Sequence, residues 1–205
     1  MKETVRFAFY VLLHPVDGFW DLKHEKKGKL WMALSILGLT FLTLVFNRLA
    51  VSFLYDPSYG EKIDLVVILE QVFIPFFLFC IANFAITTLM EGEGKFTEIV
   101  TAAGYSLTPI VLIYVPITMM THLFSLNEKT YVSFFMTLAL VWTAALLFCG
   151  IMSVHNYTPG KTVGTLVLTL VAMAIIAFIC VLFFSLITEI VGFGYTIYKE
   201  IGTRL

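Results

Sequence analysis

The chain has 205 residues, 60% of them hydrophobic and 13% charged, with a formal net charge of −1. Soluble domains carry about 25% charged residues, so half the usual polar coating is missing and lipid is the solvent that suits such a surface. The near-zero net charge supplies no field to recruit nucleic acid or an acidic substrate.

Residues 1–29 read as a cytoplasmic, interfacial segment ahead of a membrane domain at 30–205. Lys2 and Arg6 precede a short apolar stretch, but His14, Pro15 and Asp17 stand where a small-residue cleavage site is needed, so no signal peptide is expected. From Pro15, a good first helical residue, Val16, Phe19 and Trp20 fall on one helical face. Asp17 and Asp21 sit early, Lys23, Lys26 and Lys27 late, and Gly28 is placed to close the helix. This predicts a short helix lying on the cytoplasmic leaflet, anchored by Trp20 and Trp31, with Lys26 and Lys27 among the lipid headgroups.

Five apolar runs follow, at 30–54, 65–90, 104–124, 131–154 and 164–191. Each is near the ~20 residues a helix needs to cross a ~30 Å hydrocarbon core. They are continuously apolar and lack the alternation of a barrel strand, so the fold class expected is all-α integral membrane, with five transmembrane helices. The breaks carry turn residues: Tyr55 to Gly60, Glu91-Gly92-Glu93-Gly94-Lys95, Ser125 to Lys129, and His155 to Lys161. With an odd number of spans, Lys and Arg divide eight against five in favour of the N-terminal side. The positive-inside rule then places the N-terminus in the cytoplasm and the C-terminus outside.

Charges within spans are costly, at least about 2.5 kcal/mol each at the bilayer centre. Arg48, Glu70 and Glu189 fall inside the expected spans, all near the outer interface. An Arg48–Glu70 ion pair across the first helical hairpin would fix the register of two helices or, on the other reading, line an ion or proton path. Pro75 interrupts the second span. Pro109 and Pro116, two turns apart, share a face of the third.

Motifs for chemistry fail on inspection. Gly160-Lys161-Thr162 ends like a phosphate loop, yet position 155, where the first glycine belongs, is His155, and an apolar helix precedes it. Cys80, Cys149 and Cys180 are scattered through apolar runs, and the four histidines have no paired metal spacing. No serine or cysteine has a base and an orienting partner. Acidic clusters suited to metal-phosphate substrates are missing, and the flexibility of a glycine-rich turn accounts for Glu91 and Glu93. No catalysis, metal or cofactor is expected. Gly160 and Gly164 lie at a helix entrance rather than mid-membrane, a weak signal for a dimer.

Two loops are more specific: Met90 to Phe96 and Tyr157 to Thr162 each place Gly-Lys shortly before the next helix, which suits paired hairpins. Glu91, Glu93, Lys95, Tyr157 and Lys161 are the expected partner contacts there. At these loops the chain resembles the Yip domain family, five-span membrane proteins named for eukaryotic members that interact with Rab-type GTPases. The resemblance rests on Pro15-Val16-Asp17-Gly18-Phe19-Trp20-Asp21-Leu22-Lys23, on Glu91-Gly92-Glu93-Gly94-Lys95-Phe96, on Tyr105-Ser106-Leu107-Thr108-Pro109 and on Tyr157-Thr158-Pro159-Gly160-Lys161-Thr162. It covers nearly the whole chain and looks most like the bacterial branch. It implies five helices, a cytoplasmic N-terminus and a non-enzymatic protein acting through membrane partners. The eukaryotic members carry an Asp-Leu-Tyr-Gly-Pro-like motif in a longer N-terminal region, and Val16-Asp17-Gly18-Phe19-Trp20 is only loosely similar to it, so Rab binding is not implied.

Three functions are thus in view. The first is a scaffold or accessory subunit in a bacterial plasma membrane, contacting lipids and a membrane protein such as transporter subunits, with Thr137, Thr143 and Ala144 on a contact face. The second is a small transporter or channel built on Arg48, Glu70 and Glu189, with Asn83 lining a hydrated path. The third, a lipid- or prenyl-acting enzyme, lacks its acidic residues.

Overall fold

The structure, a computed structural model, describes residues 2–55, 63–125 and 128–204. The expected turn at 56–60, Lys62, and Leu126 and Asn127 of the third loop lie outside the described residues. Among the described residues eight α-helices follow in order: α1 Lys2–Leu13, α2 Pro15–His24, α3 Leu30–Ala50, α4 Leu65–Leu89, α5 Phe96–Ser106, α6 Thr108–Met120, α7 Lys129–His155 and α8 Pro159–Arg204. Five stretches among the described residues are long and apolar enough to cross a membrane: α3, α4, α5 with α6, α7, and α8. The chain is a multi-pass integral membrane protein.

The third span departs from expectation. It starts at Phe96 rather than 104 and ends at Met120. Thr97, Glu98 and Thr101 make this the least apolar of the five spans, which is why the hydrophobic run seemed to begin later. It is also the most enclosed, packed against α3, α4 and α7, and two of its polar side chains bond within its own first turns. The Thr101 hydroxyl, for example, donates to the Thr97 carbonyl at 2.6 Å. The helix breaks at Leu107. Pro109 has no N–H to offer the Tyr105 carbonyl, and the Thr108 hydroxyl donates there instead at 2.7 Å, so no acceptor is stranded at membrane depth.

The N-terminal segment also differs. Two helices stand where one was expected, because a residue before proline disfavours helical geometry and His14 accordingly takes φ −127°. The expected Val16–Phe19–Trp20 face is split. Phe19 and Leu22 are buried in the main core with Val11, Ala33, Ile99, Leu146 and Ile151, whereas Val16 and Trp20 are about half exposed, as is Trp31. Helix α2 is thus wedged against α7 rather than lying on the leaflet alone. Gly18 lets α1 come close; a Cβ there would stand 2.8 Å from the Val11 Cα. Gly28 does not close α2. The helix ends at His24, and Lys26 takes the left-handed conformation at φ 51°. Lys27 is held by Asp21 at 2.8 Å and by Glu25, contacts that raise its pKa above the ordinary lysine value.

A smaller cluster closes the other end of the bundle around Tyr55, Ile117 and Val132. Asn47 donates to the Thr118 hydroxyl at 2.7 Å and Tyr55 donates to the Ser125 carbonyl at 2.5 Å. Helix α8 packs on α4 through its first turns, and from residue 177 to 196 its side chains are exposed. Its 46 residues make a rod of roughly 69 Å, well beyond the expected 164–191.

Candidate functional site

The loops α4–α5 and α7–α8 meet at the end of the bundle that carries α1 and α2. Both leave their first helix through the same cap. Helix α7 ends in Asn156 at φ 53°, with the Tyr157 N–H donating to the Met152 carbonyl and the Asn156 N–H to Ser153. Helix α4 ends with Glu91 at φ 57°, and the Gly92 N–H donates to Thr87 at 2.8 Å. Asparagine tolerates this left-handed geometry better than most side chains.

Glu93 ties three elements together. One carboxylate oxygen accepts from the Lys23 ammonium of α2 at 3.1 Å and from the Asn156 amide at 2.6 Å. These two donors, Lys23 first, hold its carboxyl below the ordinary value of 4.5. The His155 Nδ1 accepts from the Gly94 N–H at 3.3 Å, which puts the ring proton on Nε2, a buried atom without a partner among the described residues. Tyr157 stacks on His155 with ring centroids 5.3 Å apart and donates to the Met90 carbonyl at 3.1 Å. Partial burial, then the charge of Glu91, raises the Tyr157 pKa. The Lys161 ammonium sits 4.3 Å from the Tyr157 ring centroid, a cation–π contact.

The glycines serve this contact rather than flexibility. A Cβ on Gly92 would stand 2.5 Å from the His155 Nδ1, and one on Gly94 2.4 Å from a Val154 methyl. Below the loops a polar seam joins α4 to α8. Asn83 donates to the Thr169 hydroxyl at 3.2 Å, and the Thr165 hydroxyl reaches the Met90 sulfur at 3.4 Å.

Of the residues expected as partner contacts, the fold brings Glu93, Tyr157 and Lys161 into one joint. Glu91 forms the adjoining turn and is exposed. Lys95 caps α5, its N–H donating to the Glu98 carboxylate at 3.0 Å, with its side chain outside the joint. Gly160-Lys161 lies inside the first turn of α8 rather than before the helix. Lys23, His155 and Asn156 were not expected in the joint. The alternation of small and polar residues in Glu91 to Lys95 was the available signal.

Because the folded pKa of Glu93 is depressed, its contribution to stability is complete above about 4.5 and is lost as pH falls through the lower folded value. The melting difference between wild type and Glu93→Gln in detergent is therefore expected to stay constant from neutral pH to about 4.5 and to close below it. A difference that persists unchanged in acid would show that the carboxylate charge is not what holds the loops.

The intramembrane charges are not gathered in one place. Arg48 lines a cleft of about 470 Å³ with Asn47, Asp64 and Gln71 at the end opposite the joint. Glu70 and Glu189 are exposed and line no part of that cleft. No ion pair joins Arg48 to Glu70 among the described residues. The double reversal Arg48→Glu with Glu70→Arg is expected to fold no better than either single change, as read from monodisperse yield in detergent. Asn83, proposed to line a path, is instead fully enclosed between α4 and α8 with its side-chain oxygen unpaired among the described residues. Thr137 and Ala144 are exposed; the Thr143 hydroxyl is buried.

No group of three or more His, Cys, Asp or Glu side chains among the described residues is arranged to hold a metal. The family model described as the Yip1 domain matches residues 9–198. No curated protein and no solved structure matches the chain.

Proposed function

The chain belongs to the Yip1 domain family, and from that membership we propose that it works without chemistry of its own, as a scaffold or accessory subunit of another membrane protein. The joint carries this reading. Lys23, Glu93, Asn156, His155 and Tyr157 are fixed by contacts across three elements, which leaves Glu91, the outer face of Glu93 and Lys161 as a preorganised polar surface. A surface already ordered before binding loses little entropy when a partner docks. The charge asymmetry supports a cytoplasmic position for this surface, and the family resemblance suits the plasma membrane of a bacterium, with transporter subunits as one kind of partner.

The test is to solubilise the tagged protein from its own membrane in mild detergent and identify what copurifies in stoichiometric amount. One defined membrane protein, lost from a Glu91→Lys/Lys161→Glu variant that melts like wild type, supports the reading. A chain that purifies alone from its native membrane removes it.

A small transporter is the second reading, favoured by one observation. The cleft at Arg48 shares Leu44 and Gln71 with a cavity of about 300 Å³ that reaches Thr40, Ser106 and the unpaired Thr143 hydroxyl beside Pro75 and Leu107. Solute flux in reconstituted vesicles, reduced by Gln71→Leu, is what this reading requires.

A further inference from the structure

Beside the joint, with which it shares Lys23, a pocket of about 290 Å³ lies among α2, the turn that follows it and the head of α5. Its polar lining is Lys23, Lys26, Lys95, Thr97, Glu98 and Thr101, over a floor that includes Leu22. The balance of charge favours an anion. The Glu98 carboxylate is already engaged by the Lys95 N–H at 3.0 Å. Lys23 is committed to Glu93, with a side chain only 12% exposed. Lys26 and Lys95 form no ion pair among the described residues.

Two further features point the same way. Lys26 occupies a left-handed conformation, φ 51°, that a lysine disfavours, although Gly28 stands two residues away. Helix α5, 11 residues long, starts at the pocket, so the positive end of its dipole adds to the lysines. Leu30, on the pocket wall, and Phe96, at the head of α5, are apolar and exposed where the membrane-crossing helices begin.

We propose that this pocket binds the phosphoryl group of an anionic glycerophospholipid, with the Lys26 and Lys95 ammonium groups on its oxygens and Lys23 as a fixed positive background. A lipid fits better than a soluble anion because the apolar rim continues into the bilayer beside Leu30 and Phe96. A choline headgroup fits poorly because it would bring its own positive charge against three lysines. The site is separate from the partner surface at Glu91 and Lys161, so either proposal can fail without the other.

The experiment uses the full chain purified in a neutral detergent and counts lipid adducts by native mass spectrometry. Phosphatidylglycerol is expected to bind in preference to phosphatidylcholine. Lys26→Gln/Lys95→Gln is expected to weaken phosphatidylglycerol about thirtyfold, the effect of two lysine contacts to an anionic lipid. Lys26→Arg/Lys95→Arg retains the lipid, and Lys29→Gln, a neighbouring lysine outside the pocket, binds like wild type. Undiminished binding by the double glutamine variant, an equal loss in Lys29→Gln, or no preference over phosphatidylcholine would overturn the proposal. Binding of inorganic phosphate without any binding of lipid would overturn the lipid assignment.

Discussion

Alanine in place of Gly104 is expected to destabilise the protein by about 1–3 kcal/mol, towards the upper end of the usual range for overpacking. The reason is the kind of atom it meets. A Cβ at this position would stand 2.6 Å from the Ala33 Cβ, 2.8 Å from the Ala33 carbonyl oxygen and 2.9 Å from the Ala33 Cα. Two of those three are backbone, so no side chain can rotate away, and α3 and α5 must separate where they cross. Close helix approach at small residues is what holds packed helices together in lipid, since the tails offer no hydrophobic drive of their own. Gly164→Ala is the control, because nothing lies within 4 Å of its Cβ position on α8. Thermal unfolding in detergent should show a large drop for Gly104→Ala and none for Gly164→Ala. A stable Gly104→Ala protein would mean that α3 and α5 do not touch there. A destabilised Gly164→Ala would point to a partner on that face of α8.

Phe19→Ala is expected to cost about 3–5 kcal/mol, the usual range for emptying a buried aromatic site. Phe19 is fully buried, and its ring stands 3.2 Å from where a Gly150 Cβ would be, beside Ala102. Removing it leaves a cavity between α2, α5 and α7 and cuts the main tie between the N-terminal helices and the spans. Trp20→Ala, one residue on but half exposed, should leave unfolding unchanged. Limited proteolysis gives the second readout: cleavage within α1 and α2 should accelerate for Phe19→Ala only. The reverse order, with Trp20→Ala the damaging change, would mean that α2 is rotated relative to the core.

The number and placing of the spans could be read from the sequence because burial in lipid needs only continuous apolarity, a local property. The third span was the exception. Thr97, Glu98 and Thr101 lower its apolarity, and the packing of this span against α3, α4 and α7 is a tertiary fact that no local window holds. The N-terminal segment failed for a related reason. Helical spacing put Val16, Phe19 and Trp20 on one arc, but which edge of that arc turns inward depends on Gly18 against Val11 and Phe19 against α7. At the joint, Glu93, Tyr157 and Lys161 were visible as a loop pattern, whereas Lys23 and His155 entered through contacts between distant parts of the chain. For the intramembrane charges, depth along a helix is legible in sequence and direction around it much less so, which is why Glu70 and Glu189 do not line the cleft at Arg48.

The joint also carries a statement about biogenesis. Its bonds connect residues 61 to 70 positions apart: Gly94 with His155, Glu93 with Asn156, Met90 with Tyr157 and Lys23 with Glu93. Synthesis runs from the N-terminus, so when the first three spans enter the membrane, the grooves at Gly92 and Gly94 have nothing to fill them. Only emergence of the fourth span and the turn after it supplies His155 and Tyr157, and the Asn83–Thr169 seam, 86 positions long, waits longer still for α8. The end of α7 and the turn after it are thus the latch that closes the α4–α5 loop, and a nascent chain short of them presents an open loop to whatever quality control inspects the membrane.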